Sequence, residues 1–250
     1  MISIKTPEEI KIMTEGGRIL AEIMEELKKM IKPEITTNEL NKAAEGLVFR
    51  FGARPSFKNY QGFPASLCTS INEEIVHSCP SERQLKNGDI ISLDLGILYK
   101  GFHTDMAVTL PVGEINSEAK KLIAVTERAL EIGIESVCLG QTLGDIGNAI
   151  QEYVESQGLS VIKDLCGHGI GKNLHEEPQI LNYGKKGTGL KLVPGMVFCL
   201  EPMVALGSDQ IKKTKDGYAF QTVDESLSAH FEHTLAIQEN GEVKILSLLT

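Results

Sequence analysis

Four carboxylates stand where a carboxylate is hard to keep: Asp94 in IISLDLGIL, Asp105 in GFHTDMAVTL, Glu201 in VFCLEPMV and Glu232 in HFEHTLAI. The apolar neighbours predict buried strands, and an unpaired buried carboxylate is costly. Gathering several adds repulsion of roughly 4 kcal/mol per close pair at an effective dielectric near 20. The basic residues cluster elsewhere, in KKM, GKKGTGLK and KKTK, so metal ions are the counter-charge the pattern asks for. Four carboxylates and two dications sum to zero. With His168 of GHGIG the set is mostly oxygen with one imidazole, which suits Mn, Fe, Co or Zn in an open site better than a closed structural zinc. Two such ions lower the pKa of a bridging water from 15.7 towards about 7, and the resulting hydroxide can attack a carbonyl. The six histidines all lie in acid-bearing or glycine-rich strings, none before His77. His77 in HSCP and His175 in HEEP join the candidates; His103, His230 and His233 read as supporting or packing residues.

These residues must be positioned by strands held against helices. Thr6 and Glu9 form a capping box with Pro7 in the first turn. Ile10, Met13, Leu20, Ile23, Met24 and Leu27 then recur near every 3.6 residues, until Pro33 ends the helix. A second box at Thr36 and Glu39 opens a helix that Gly52 stops. From Pro64 to Leu110 the pattern is β-rich, with a hairpin turning at Lys100 and Gly101. Two further helices are expected from Ser117 to about Val137 and from Thr142 to about Gln157. Strands then resume at GMVFCLEPMV, GYAFQTV, HFEHTLAIQ and EVKILSLL.

The order repeats, and so do the residues. TTNELNKAAEGLVFRFG aligns with TLGDIGNAIQEYVESQG, HSCP with HEEP, LKNGDIISLD with LVPGMVFCLE, and HTD with HFE. The matches keep their order along the chain. They predict two halves related by a pseudo-twofold axis, roughly 1–111 and 112–250 of one catalytic domain, each sending a His and two carboxylates to a shared interface.

Composition excludes other classes. A chain of 250 residues, 42% hydrophobic and 24% charged, supports one substantial core. No apolar run approaches the roughly 20 residues of a membrane-spanning helix, and MISIKTPEEI carries acidic residues where a signal peptide is basic, so a cytoplasmic protein with no membrane partner is expected. Cys68, Cys79, Cys138, Cys166 and Cys199 are odd in number with no CxxC spacing, as for reduced thiols. A net charge of −9 disfavours general polyanion binding. Lys185, Lys186, Lys191, Lys212, Lys213 and Lys215 read as solvated faces, with a ribosomal RNA contact as the functional alternative.

NYQGFPASLCTSINEEIVHSCP, DLGILYKGFHTDMAVT, CGHGIGKNLHEEPQILNYG, GMVFCLEPM and SLSAHFEHT, taken together, resemble the successive motifs of the type I methionine aminopeptidases of the pita-bread metallopeptidase superfamily. The resemblance spans nearly the whole chain. It implies an α+β pita-bread fold, a curved antiparallel sheet covered by helices on its outer face. It further implies two divalent ions (Co, Mn, Fe, Ni or Zn), with Asp94 on the first, Asp105 and Glu232 bridging, and His168 and Glu201 on the second. Glu201 would also carry the proton from water to the leaving amine, with His77 beside the peptide and His175 on the scissile carbonyl. Phe57, Tyr60, Phe63, Cys68, Leu174 and Tyr218 would line a slot for an unbranched thioether. Met203, Leu165 and His230 map near the next pocket, which admits small residues. The implied activity is removal of the initiator methionine from nascent chains, near the ribosome and by a monomer. VHSCP, Gln61, Phe57, Leu174, Tyr218 and His230 depart from residues frequent in that family; none is among the five ligand positions. Two rivals remain. An X-Pro peptidase resembles the metal motifs, but only 93 residues precede Asp94, too few for its usual amino-terminal domain. A non-catalytic binding protein on the same fold would have no need of all five ligand types.

Overall fold

The computed structural model describes residues 2–249. Helices α1 (Pro7–Lys28) and α2 (Thr37–Arg50) precede strands β1 (Arg54–Pro55), β2 (Cys68–Ile71), β3 (Glu74–Val76), β4 (Ile90–Tyr99) and β5 (Phe102–Pro111). Helices α3 (Ser117–Glu135) and α4 (Leu143–Ser156) then lead to β6 (Ser160–Val161), β7 (Gly167–Gly169), β8 (Glu176–Ile180), β9 (Val197–Leu200) and β10 (Met203–Ala205). The chain ends through β11 (Ile211–Lys213), β12 (Phe220–Thr222), β13 (Ser228–His230), β14 (Glu232–Ile237) and β15 (Val243–Ile245).

The capping boxes stand where the sequence puts them. Thr6 and Thr36 each accept from the amide three residues on, and the Glu9 and Glu39 carboxylates accept from the cap amides. At the equivalent start of α4, Asp145 takes the glutamate's part and accepts from the Thr142 amide at 2.8 Å. The β4–β5 hairpin turns through Lys100 and Gly101, both at positive φ, as a two-residue turn matched to strand twist requires.

A nine-stranded sheet in the order β1-β4-β5-β14-β9-β7-β8 carries the molecule, with β2 also paired to β4 and β15 to β14. Its middle reads the same in both directions: β2, β4 and β5 answer β7, β9 and β14 across a central β5–β14 seam. The isolated bridges Thr36–Gln84 and Thr142–Lys191 repeat the relation at the two helix starts. The fold is thus the expected α+β pita-bread arrangement of two pseudo-twofold-related halves. All four helices cover one face: Leu20, Ile23 and Met24 of α1, Val48 of α2, Leu122 of α3 and Ile150 of α4 join Leu93, Leu95, Phe198 and Leu235 of the sheet in one buried cluster. Helix α1 lies so close that a Cβ on Gly17 would stand 2.1 Å from the Leu246 carbonyl oxygen, so no larger residue fits there. Among the described residues no helix is long and apolar enough to cross a membrane.

Two strands expected to be continuous are not. GMVFCLEPMV divides at Glu201 and Pro202 into β9 and β10, and HFEHTLAIQ begins as β14 only after Phe231 separates it from β13. In the first place the chain leaves the large sheet for a three-stranded one of order β13-β10-β6, and in the second it returns. Pro202 supplies no amide for a ladder, and the first break leaves Glu201 outside the strands, whereas Glu232 opens β14 opposite Ala107.

Candidate metal centre and active-site cleft

Strand periodicity sends the candidate ligands to one side. Ile91, Leu93, Leu95 and Ile97 of β4 pack under the helices, which turns Asp94 and Gly96 to the opposite face. Gly96 stands across from Asp105 in the ladder. A Cβ there would lie 2.8 Å from Phe57 Cε1 and 3.2 Å from Asp105 Oδ2, so this glycine makes room for both the ring and the carboxylate. Leu235 and Ile237 of β14 are likewise core, leaving Glu232 and Thr234 on the side of Asp105. Glu201 follows directly on β9. His168, on β7, donates from Nδ1 to the Gly169 carbonyl at 2.9 Å; its Nε2 then keeps its lone pair and lies 3.6 Å from Glu201 Oε1.

The carboxylates are close and buried, Asp105 and Glu232 at 3% and 2% exposure. Donor atoms of Asp94, Asp105 and Glu232 all lie within 4.8 Å of one another; so do those of Glu201, His230 and Glu232, and those of His168, Cys199 and Glu232. Glu232 belongs to every group. Asp94 Oδ1 and Glu232 Oε1 have no hydrogen-bond partner among the described residues. Among the described residues the four carboxylates form no ion pair with lysine or arginine; Glu201 and Glu232 face imidazoles alone. Burial pushes Asp94 up to about 6. Burial, reinforced by the neighbouring carboxylates, holds Asp105, Glu201 and Glu232 well above the usual range. Burial also drives His168 down to about 3, keeping its imidazole neutral as a metal ligand must be. Orphaned oxygens, mutual repulsion and a neutral imidazole together fit divalent cations.

A cleft of about 770 Å³ opens onto this cluster. Every substrate-contact residue expected from the sequence lines it: Phe57, Tyr60, Phe63, Cys68, His77, Leu174, His175, Met203 and Tyr218, alongside Asp94, Asp105, His168, Glu201 and Glu232. Phe63 and Tyr218 meet edge to face with centroids 5.7 Å apart, and the Tyr218 hydroxyl donates to the Gly62 carbonyl at 2.9 Å. The Tyr60 hydroxyl shares a 2.9 Å hydrogen bond with His175 Nδ1, leaving Nε2 available. His77, at φ 61, is open to the cleft beside Phe220. Leu165 also lines the cleft. His103 and His233 pair instead with the Ser56 and Ser247 hydroxyls.

Sequence reasoning passed over Phe220 and Gln179 in the lining, and over Lys5. Lys5 Nζ reaches Glu176 Oε2 at 2.6 Å with both side chains buried, while Glu176 Oε1 accepts from the Asn173 amide. This pair ties the loop bearing Leu174 and His175 to the start of the chain. Its one signal was an acidic doublet after a site histidine, Glu176 and Glu177.

Residues 11–239 match the model of metallopeptidase family M24. The chain belongs to metallopeptidase family M24. Within that family this M24 chain is 51% identical to methionine aminopeptidase 1 of Bacillus subtilis, over 96% of this chain and 97% of the relative. It is 47% identical to the methionine aminopeptidase of Clostridium perfringens, with 100% of each covered. The crystal structure of methionine aminopeptidase from Rickettsia prowazekii superposes with a TM-score of 0.97 at 42% identity, covering 99% of this chain and 100% of that one. A prolidase from Pyrococcus horikoshii shares the M24 fold at a TM-score of 0.80 and 22% identity, but the chain covers only 64% of it.

Proposed function

We propose that this M24 chain is a methionine aminopeptidase that removes the initiator methionine from nascent proteins when the second residue is small. The observation that carries the reading is the junction of an apolar slot, walled by Phe57, Phe63, Leu174 and Tyr218, with the carboxylate cluster at its end. Asp94, Asp105, His168, Glu201 and Glu232 would hold two divalent ions, which on binding acidify a water and polarise the scissile carbonyl.

The chain's own groups do the rest. The slot takes up the unbranched methionine side chain and excludes water around it, as the buried Phe57, Phe63 and Cys68 require. Glu201 accepts the proton of the attacking water and returns it to the leaving amine. His175 donates from Nε2 to the developing oxyanion while Tyr60 fixes its ring through Nδ1. His77 steadies the peptide, and Met203, almost wholly buried, crowds the second residue. The reading extends to a cytoplasmic monomer acting beside the ribosome, with the loop lysines 185, 186, 191, 212, 213 and 215 as the contact.

The test is release of the amino-terminal residue from Met-Ala-Ser, Leu-Ala-Ser and Met-Pro-Ser by metal-free protein reloaded with Mn, Fe or Co. Both methionine peptides are expected to be cut, with Leu-Ala-Ser slower by about 10- to 200-fold, the range a branched hydrocarbon in a fitted pocket allows. Cleavage of Met-Pro-Ser alone would reassign the chain to the X-Pro peptidases. No cleavage with any metal would leave a binding protein.

A further inference from the structure

His230 does more than pack. It is 1% exposed, yet among the described residues neither ring nitrogen has a hydrogen-bond partner. Leaving both unsatisfied costs about 1–3 kcal/mol for each stranded group. The backbone that carries the ring is clamped on both sides. The His230 amide donates to Thr109 Oγ1 at 2.8 Å, the Thr109 hydroxyl donates back to the His230 carbonyl at 2.9 Å, and β13 holds His230 opposite Met203 of β10.

From that fixed position Nε2 lies 3.5 Å from Glu201 Oε2 and 3.9 Å from Glu232 Oε2. Both distances exceed a hydrogen bond, whose N···O separation is about 2.9 Å. They approach the spacing of donors around one small divalent ion: bonds of roughly 2.0–2.2 Å at tetrahedral or octahedral angles put neighbouring donors about 3–3.5 Å apart. His168 and Glu201, which the proposed function places on one ion, show nearly the same spacing, 3.6 Å from Nε2 to Oε1. Glu201 therefore presents one oxygen to each of two imidazoles. We propose that His230 is a sixth protein ligand, giving the ion on the Glu201 side of the centre a second nitrogen donor. This rests on the reading of the carboxylate cluster as a metal centre. A second imidazole moves the preference of that position away from Mn and towards Co, Ni or Zn, which take nitrogen more readily.

The experiment is anaerobic loading of metal-free full-length protein with two equivalents of Co²⁺, followed by X-ray absorption to count imidazoles and by calorimetric titration. With His168 and His230 both ligating, wild type is expected to show about one imidazole per ion on average, against about half if His168 ligates alone. His230→Gln should lose as much imidazole scattering as His168→Gln, weaken the affected Co²⁺ by at least about tenfold, and weaken Mn²⁺ less. Half an imidazole per ion in wild type overturns the proposal without recourse to any variant. So does a His230→Gln protein whose scattering and affinities match wild type. Wild type that binds no Co²⁺ overturns the metal centre itself, a different failure from the loss of His230 alone.

Discussion

Glu232→Gln is expected to lower turnover of Met-Ala-Ser by about a thousandfold or more while raising the thermal midpoint of the metal-free protein. The two effects have one cause seen in two states. Glu232 is shared by all three groups of clustered donors, so its charge would face a cation held in any of them. A unit charge about 4 Å away at an effective dielectric near 20 is worth roughly 4 kcal/mol, or about three powers of ten in affinity. Without metal that same charge repels Glu201 and Asp94, and the amide relieves the repulsion. Asp105→Asn should behave alike, since Glu232, Asp94 and Glu201 all press on Asp105. The measurements are peptide turnover after metal loading and thermal unfolding in chelator. Wild-type rates in either variant would rule out a bridging role. A fall in metal-free stability would show instead that these carboxylates serve structural ion pairs.

The metal-free protein should also lose stability as pH rises above about 6.5, the unfolded histidine value. Asp105, Glu201 and Glu232 have folded pKa values raised by burial and by one another. The native state therefore binds protons that the unfolded chain, titrating near 4, has already released. With more protons on the native side, stability is full at low pH and declines as pH climbs through the folded values. The buried histidines act in the opposite sense but lower down. His168 is depressed to about 3 and His233 to about 4, so stability is lost as pH falls below the unfolded value of about 6.5. In the chosen window the carboxylates dominate. Thermal unfolding in chelator at several pH values should show the decline, a smaller one in Asp105→Asn, and a reversed slope with Co²⁺, because binding expels the retained protons. A flat profile in chelator would contradict the clustered, protonated carboxylates described here.

Much of this was legible in the sequence, for reasons that differ by element. Thr6 with Glu9 and Thr36 with Glu39 were readable because a capping box is local: its partners are three residues apart. The Lys100–Gly101 turn was readable because both residues tolerate positive φ between two apolar runs. Asp94, Asp105, Glu201 and Glu232 stood out because charge in an apolar strand contradicts its surroundings. The strand bearing His168 did not stand out. Gly167, His168 and Gly169 have no β-propensity to announce them, and β7 exists because β8 and β9 pair with its backbone on both sides. The breaks at Glu201 and Phe231 were hidden for a related reason. Apolar runs do not say which sheet they join, and here one run serves two sheets. His230 was read as support because its partners, Glu201 and Thr109, come from distant strands that only the folded chain brings together.

The seam between the halves carries one more consequence. β4 and β5 pair along their whole length, whereas β5 and β14 are in register only at Ala107–Glu232 and Met106–His233. Beyond those pairs the join is made by threonine hydroxyls, Thr234 on the Asp105 amide and Thr109 on the His230 amide. A junction with so few direct ladder bonds is one where a sheet can breathe. The clustered carboxylates stand on both sides of it, Asp94 and Asp105 on one, Glu201 and Glu232 on the other, so cations held among them would act as a clasp across this sparsely bonded line. Losing an ion and parting the halves would then be one motion, and the lifetime of the loaded enzyme would follow how often that line opens.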